Sequence, residues 1–380
     1  MNDNTKKPEI SILLPCLNEE DSIGLCLNNI TDVISKNSLS AEVIVIDNGS
    51  TDSSHKIAES KDVRVVNEAE PGYGAAYLKG FQESRGKYIF LADPDGSYDF
   101  NEIPRFMAQL KAGYDLVIGN RFSGNIEPGA MPLLRRYFGN PILSGVLRLF
   151  FRTKISDSQC GMRALSKKIL RVLNLRATGM EFASEMVIKA LKNRVSIKEL
   201  PINYYKRYGK SKLKSFADGW RHLRFMLLYC PLFLFFIPGL ILFMFGMVSL
   251  ILLYFDLVNI FGIKFQYHPM FLSAIFVIIG YQLIIFALFA KTYSITHLGD
   301  APIFESLYKF VTIEKASIIG IILGIFGMVI YIKIFLSWII NGFGELNEIR
   351  NAIFAMPITA LGMQTIFSSF MLSILGIKEK

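Results

Sequence analysis

The chain of 380 residues carries 41 Lys and Arg against 32 Asp and Glu, for a net charge of +9, and 52% of it is hydrophobic. Its four Cys and four His are scattered without paired spacing, which excludes a zinc module and a His-based metal site. The charge is split: residues 1–127 hold 12 basic and 20 acidic side chains, residues 128–230 hold 21 and 5, and residues 231–380 hold 8 and 7. An acidic first part suits a metal. A basic second part that runs directly into apolar sequence suits phosphate headgroups better than nucleic acid.

In chain order, the polar N-terminus Met1 to Glu9 has no signal-peptide pattern. Ile10 to Leu14 reads as a strand closed by Pro15, followed by Cys16-Leu17-Asn18-Glu19-Glu20 and a helix over 20–36. Glu42 to Ile46 predicts a second strand, ending in Asp47-Asn48-Gly49-Ser50-Thr51-Asp52 and a further helix. Val63 to Val66 is a third strand, and the glycine-rich Glu70 to Ala76 opens a helix to Ser84. That glycine pattern matches neither a dinucleotide fingerprint nor a phosphate loop, so neither NAD nor a P-loop nucleotide is supported.

Tyr88 to Ala92 predicts a buried strand, and it ends in Asp93-Pro94-Asp95-Gly96. Taken alone this is an acidic turn. At a strand's carboxyl end, where open α/β sheets bind ligands, two hard carboxylates beside a phosphate suit Mg²⁺ or Mn²⁺. Asp115 to Ile118 is the next strand, ending in Gly119-Asn120-Arg121. Alternating strands and helices over 1–120 predict a doubly wound, mostly parallel sheet whose strand ends bring Glu19, Asp47, Asp93, Asp95 and Arg121 to one crevice.

Residues 123–132 read as a Gly/Pro-rich loop long enough to be a mobile cover. Arg135-Arg136 begins an amphipathic helix to Phe151, Asp157 to Arg163 follows, a helix runs from Ser166, and Gly179 to Glu185 opens another. Glu181 and Glu185 share a face and are equally readable as solvated acids, Lys189 being the partner at hand. The basic stretch 206–214 places Arg207 and Lys212 to meet phosphates, and 215–230 reads as an interfacial amphipathic helix. Four apolar runs, 231–255, 269–290, 316–340 and 352–376, each have the length of a bilayer span. Lysines concentrate in the loop 291–315 and the tail, so the positive-inside bias puts the N-terminal part, the C-terminus and the free thiols in the cytoplasm. The domain expectation is 1–214 catalytic, 215–230 interfacial and 231–380 four transmembrane helices.

The ordered set Pro15-Cys-Leu-Asn-Glu-Glu20, Asp47-Asn-Gly-Ser-Thr-Asp52 and Asp93-Pro-Asp95 resembles family-2 glycosyltransferases of GT-A fold. The Asp157-Ser-Gln-Cys-Gly-Met-Arg163 and Arg207-Tyr-Gly-Lys-Ser-Lys212 segments are similar to those of the polyprenyl-phosphate branch, the dolichol-phosphate mannose and glucose synthases and their bacterial relatives. The resemblance covers about residues 8–225. It implies an α/β GT-A domain followed by an all-α membrane domain, and a nucleotide-sugar donor with UDP or GDP. It further implies Pro15, Leu17, Glu19, Ile46, Asp47 and Asn48 around base and ribose, and Asp93, Pro94 and Asp95 around metal and diphosphate.

Arg121, Arg207 and Lys212 then contact the diphosphate or the acceptor phosphate, with Arg135 beside them on the lipid side. Asp157 joins Asp93, Asp95 and Arg121 as a catalytic candidate that orients sugar or acceptor. Asn48 replaces the family's common second Asp, and Ser97 stands where some relatives have a Gln metal ligand. The sugar, the base and the oligomeric state, homo-oligomer included, stay open. The competing readings are a membrane-bound nucleotidyltransferase and a catalytically silent anchor or flippase partner.

Overall fold

A computed structural model describes residues 7–209, 215–228, 230, 232–257, 259–260, 263–264, 267–297 and 313–376. The chain divides into two compact units, 1–229 and 230–380.

The first unit is built on a seven-stranded sheet. Its strands are β1 Ile10–Cys16, β2 Ala41–Asp47, β3 Arg64–Asn67, β4 Tyr88–Leu91, β5 Leu116–Asn120, β6 Arg163–Ser166 and β7 Ile197–Pro201. The spatial order is β3-β2-β1-β4-β6-β5-β7, with β6 alone antiparallel to its neighbours. The apolar run of β1 fits its central place: Ile10, Ile12, Leu13 and Leu14 are fully buried because both faces of the sheet are covered. The helices are α1 Ile23–Lys36, α2 Ser54–Glu59, α3 Tyr73–Glu83, α4 Ile103–Lys111, α5 Asn140–Phe151, α6 Ile169–Leu173, α7 Phe182–Lys192 and α8 Ser215–Leu228.

Chain order runs from β1 outward to β2 and β3, then returns to β4 on the other flank of β1. The carboxyl ends of β1 and β4 therefore flank the topological switch point, where such sheets leave a crevice.

The five strands and first helices read from the sequence are present. Two strands were not foreseen. Ser166 ends β6 instead of opening a helix, and β7 lies beyond α7. Both are short, and β6 begins with Arg163, so neither shows the apolar run that marks β1. Their pairing partners impose the strand. The expected helix from Arg135 begins as a π-helical turn, Arg135–Gly139, before α5. Glu185 is structural: it accepts from the backbone N–H of Arg176 and Ala177 and pairs with Lys189 at 2.8 Å. Helix α8 sends Met226 into the core and sets His222 Nδ1 2.8 Å from Ser184 Oγ.

The second unit holds α9 Ile237–Tyr254, α10 Tyr267–His297, α11 Ile313–Ile340 and α12 Ile349–Gly376. The four stretches Phe233–Tyr254, Tyr267–Thr296, Glu314–Ile340 and Ile349–Gly376 are long and apolar enough to cross a bilayer, and the protein is an integral membrane protein. Backbones approach closely at small residues: a Cβ on Gly362 of α12 would fall 2.4 Å from the Gly324 nitrogen of α11.

Candidate active site

The loop after β1 is fastened to the loop after β2. Asn18 takes a left-handed backbone (φ 51°) and its Oδ1 accepts from the Thr51 N–H at 2.7 Å. The N–H groups of Asn18 and Glu19 donate to Ser50 Oγ at 3.0 Å and Ser54 Oγ at 2.6 Å. Ser22, the residue preceding α1, donates to the Pro94 carbonyl at 2.7 Å and so ties this loop to the turn after β4. That turn requires Gly96: its φ is +79°, and a Cβ there would lie 2.3 Å from the Tyr208 ring.

On this frame Asp93, Asp95, Glu19 and Arg207 converge. Arg207 Nη1 lies 3.4 Å from Asp95 Oδ2, and its Nη2 lies 3.3 Å from Glu19 Oε1. Its Nε is buried with no hydrogen-bond partner among the described residues. Asp95 Oδ1 accepts from the Ser97 N–H at 3.0 Å and the Ser97 hydroxyl at 2.5 Å. Asp93 Oδ1 accepts from the Tyr73 hydroxyl at 2.9 Å. Burial, and then the neighbouring Asp95 charge, push the Asp93 carboxyl well above the ordinary range. Burial also raises Tyr73, with the Asp93 charge adding to it, so Tyr73 stays a phenol that donates.

This donor set fits a hard divalent cation. Two carboxylates share one turn, and the charge of one is opposed by burial and by the other. Among the described residues no group of three His, Cys, Asp or Glu is arranged to hold a metal ion. Ser97, a candidate third metal ligand, donates its hydroxyl to Asp95 and is almost fully buried.

Asp47 accepts from the Ser50 N–H at 2.9 Å and has His55 Nδ1 at 2.9 Å. Burial works to raise it, but the bonds from Ser50 and His55 outweigh this and hold it below the usual range. Pro15 and Ile46 are register partners in β1 and β2, and Leu17 is exposed on the loop. The Asn48 amide is committed to backbone. Nδ2 donates to the Glu68 and Glu70 carbonyls at 3.1 and 2.7 Å, and Oδ1 accepts from the Gly72 N–H at 2.7 Å. A carboxylate could not make those two donations, so Asn at this position organises the loop after β3.

A second acid–arginine station lies at the ends of β5 and β6. Arg121 Nε and Nη2 donate to the two oxygens of Asp157 at 2.7 and 2.8 Å, and the Arg121 N–H also reaches Oδ2 at 3.1 Å. Its guanidinium stands 5.2 Å from the Tyr204 ring centre. Burial alone would lower Arg121, but the Asp157 charge and bonds carry it well above its ordinary value. Asp157 was expected to orient sugar or acceptor, and Arg121 to hold phosphate. Asp157 is fully buried, and two nitrogens of the Arg121 guanidinium bond to it.

The loop read as a mobile cover is pinned along Ile202–Lys206. Ile126 bridges Tyr204, the Glu127 N–H donates to the Tyr204 carbonyl at 2.9 Å, and Glu127 Oε2 accepts from the Lys206 N–H at 2.8 Å. Arg135 lies in the π-helical turn beyond that loop. Lys212 lies outside the described residues. Tyr73 carries no local signal: the glycine pair around it matches no nucleotide-binding motif, and its reach to Asp93 spans 20 residues.

The family model described as glycosyl transferase family 2 matches residues 11–173, and that described as the family 2 C-terminal transmembrane region matches residues 288–376. The low-salt glycan biosynthesis hexosyltransferase Agl6 of Haloferax volcanii is 34% identical over 376 residues, covering 98% of this chain and 91% of its own. The dolichyl-phosphate hexose transferase of the same organism is 29% identical over 212 residues, covering 56% of this chain and 89% of its own. Among solved structures, glucosyl-3-phosphoglycerate synthase from Mycobacterium tuberculosis in complex with phosphoglyceric acid shares the fold. Its TM-score is 0.50 at 21% identity, over 59% of this chain and 80% of that one. With a relative of this identity along nearly its whole length, a catalytic-domain match and a membrane-domain match in the same order, the chain belongs to glycosyltransferase family 2.

Proposed function

We propose that this glycosyltransferase moves a hexose from a nucleoside diphosphate sugar to a polyprenyl phosphate at the cytoplasmic membrane face, by one displacement with inversion. The observation that carries the reading is the Arg207 guanidinium, held between Glu19 and Asp95 at the mouth of the β1/β4 crevice by long ion pairs that an incoming diphosphate can replace. Leu17, Glu19 and the Asp47-Asn48 turn line the nucleotide side. Asn48 acts there by fixing the neighbouring loop.

The chemistry asks little of a base. A phosphate acceptor is already anionic at neutral pH, so its oxygen attacks the anomeric carbon as the bond to the departing diphosphate breaks. The charge that grows on the leaving group is what the site must stabilise, and Arg207 supplies a fixed cation for it. Asp93 and Asp95 would hold Mg²⁺ or Mn²⁺, which supplies further charge stabilisation of the diphosphate when bound. Arg121 and Asp157 act as positioning residues that hold the β5 and β6 ends. The relatives named as hexosyltransferase and dolichyl-phosphate hexose transferase support the donor and acceptor classes. The lysine-rich loop 291–315 and tail support the cytoplasmic side.

The test uses the purified full chain with UDP- and GDP-hexoses, a polyprenyl phosphate, and Mg²⁺ or Mn²⁺ against a chelator. The expected products are a nucleoside diphosphate and a hexosyl polyprenyl phosphate, resolved by mass. Release of pyrophosphate would point to nucleotidyl transfer and overturn the reading. So would lipid binding without turnover of any donor.

A further inference from the structure

The second unit has a polar cleft of about 540 Å³ at one end of its spans, lined by Tyr254, Tyr267, Asn347, Glu348, Arg350 and Asn351. Tyr254 ends α9, Tyr267 opens α10, and the other four lead into and begin α12. Because α10 ends and α11 begins at the opposite end of the spans, the cleft lies on the bilayer face away from the lysine-rich stretch 291–315. Its floor is packed: Leu253, Met270 and Ile353 are buried, with both tyrosines against them. Side chains tie the helix ends together around it. The Tyr254 hydroxyl donates to Asn351 Oδ1 at 2.8 Å, the Tyr267 hydroxyl to Asn347 Oδ1 at 3.4 Å, and Asn351 Nδ2 to Glu348.

Ties between helix ends need no cavity, yet this one has the roughly 300–1,000 Å³ of a small-molecule site. The groups around it select the occupant. Each phenol oxygen has given its proton and can still accept, two amides carry donors, and Glu348 carries acceptors. That mixture suits sugar hydroxyls, which both donate and accept, and a phenol ring offers an apolar face for the sugar's C–H side. Arg350 adds a cation: Nη1 pairs with Asp256, and the guanidinium stands 5.9 Å from the Tyr267 ring centre. With 34% and 51% of these two side chains exposed, the pair is worth only about 0–1 kcal/mol, so a phosphate can take the guanidinium from Asp256. A bare phosphate would leave the tyrosines and amides unused and meet two carboxylates. A sugar joined to one phosphate uses both parts of the set.

We propose that this cleft binds a glycosyl phosphate, with the hexose among Tyr254, Tyr267, Asn347, Glu348 and Asn351 and the phosphate on Arg350. A lipid-linked form reaches it with its chain still in the bilayer, and a free sugar phosphate reaches it from the water on that face. The second unit is then a receptor as well as an anchor. The product of the transfer proposed above carries such a group, but the inference rests on the cleft alone.

The probes are short-chain isoprenyl phosphoryl glucose and phosphoryl mannose with a diazirine on the sugar. They are given to the full chain in lipid nanodiscs, which leave both faces open. Mass spectrometry of the peptides after irradiation separates capture in the cleft from capture in the first unit. Label should fall on Tyr254, Tyr267 or residues 347–351, and unlabelled glycosylated lipid should displace it while isoprenyl phosphate does not. Equal displacement by glucose 1-phosphate or mannose 1-phosphate assigns the site to the free form, and weaker displacement to the lipid-linked one. Asn347→Trp, which fills the cleft from an exposed position, and Arg350→Gln should each cut capture there about tenfold with an unchanged melting temperature. No label on these residues from either probe would overturn the proposal. So would displacement by isoprenyl phosphate as strong as by the glycosylated lipid. Failure of the transfer assay leaves this map unchanged, so the two ideas fail separately.

Discussion

Two carboxylate–arginine stations sit at the carboxyl edge of one sheet, and the same residue types are arranged in opposite ways in them. At the β5/β6 end, Asp157 and Arg121 meet in a bidentate pair at 2.7 and 2.8 Å, with the acid fully buried. At the β1/β4 end, Arg207 stands 3.3 and 3.4 Å from two acids, and a buried Nε has no partner among the described residues. A closed pair satisfies itself and fixes the chain around it. An open one keeps binding capacity for a ligand. Geometry and burial tell the two stations apart; residue identity does not.

The contrast makes opposed demands of substitution. Asp157→Asn should cost about 3–5 kcal/mol of stability, because it leaves the Arg121 cation buried without its counter-charge. The apparent melting temperature of the purified chain reads this. Asp157→Leu combined with Arg121→Met should recover much of that loss, since a buried ion pair is replaceable by apolar packing of similar volume. A wild-type melting temperature in the single variant would mean the closed station is not a structural tie. Asp95→Asn should do the reverse. Its amide oxygen can still accept from Ser97, so the fold should melt normally. Transfer should fall by about 10²–10³-fold through lost stabilisation of the leaving diphosphate. Normal kcat/KM in that variant would remove the open station from catalysis.

The two stations were unequally visible beforehand. Asp93 and Asp95 follow an apolar run within one turn, so local pattern alone puts both at a strand end. The spans and the first five strands were legible for the same reason, each being a continuous apolar signal. The Arg121–Asp157 pair spans 36 residues and depends on β6 entering antiparallel between β4 and β5. No local rule reveals a four-residue strand that starts with arginine, so the closed pairing of Asp157 could not be read from the sequence. The Tyr73–Asp93 bond was hidden likewise, because it exists only once β3 and β4 have brought their following loops together.

Arg207→Lys probes the open station more finely. A lysine keeps the charge but cannot fork between Glu19 and Asp95. Loss of one charged hydrogen bond in the transition state predicts a decrease of about ten- to a hundredfold in kcat/KM, with little change in melting. Equal activity would show that charge alone is needed at that point, and that the fork geometry is incidental.

A third acid–arginine contact lies away from the crevice and gives the comparison its middle case. Arg64 of β3 bonds Glu42 of β2 at 3.0 Å and Glu83 of α3 at 3.0 Å, with the arginine about one-third exposed. Glu42 also accepts from the Ser11 hydroxyl at 2.5 Å and the Arg85 N–H at 2.6 Å. Burial acts to raise this carboxyl, but the bonds from Ser11, Arg85 and Arg64 outweigh it and hold it below its ordinary value. A carboxyl lowered by folding stabilises the native state fully above its unfolded pKa of about 4.3. That contribution is lost as the pH falls through the lower folded value. Glu42→Gln should therefore cost about 1 kcal/mol at neutral pH, since solvent screens the partly exposed arginine. The cost should shrink as the pH falls below the ordinary glutamate range, where the native side chain is itself protonated. Melting temperatures of wild type and variant across the acid limb provide the check. Parallel curves, with no convergence at low pH, would mean that the Glu42 charge contributes nothing and that this contact is a packing feature alone.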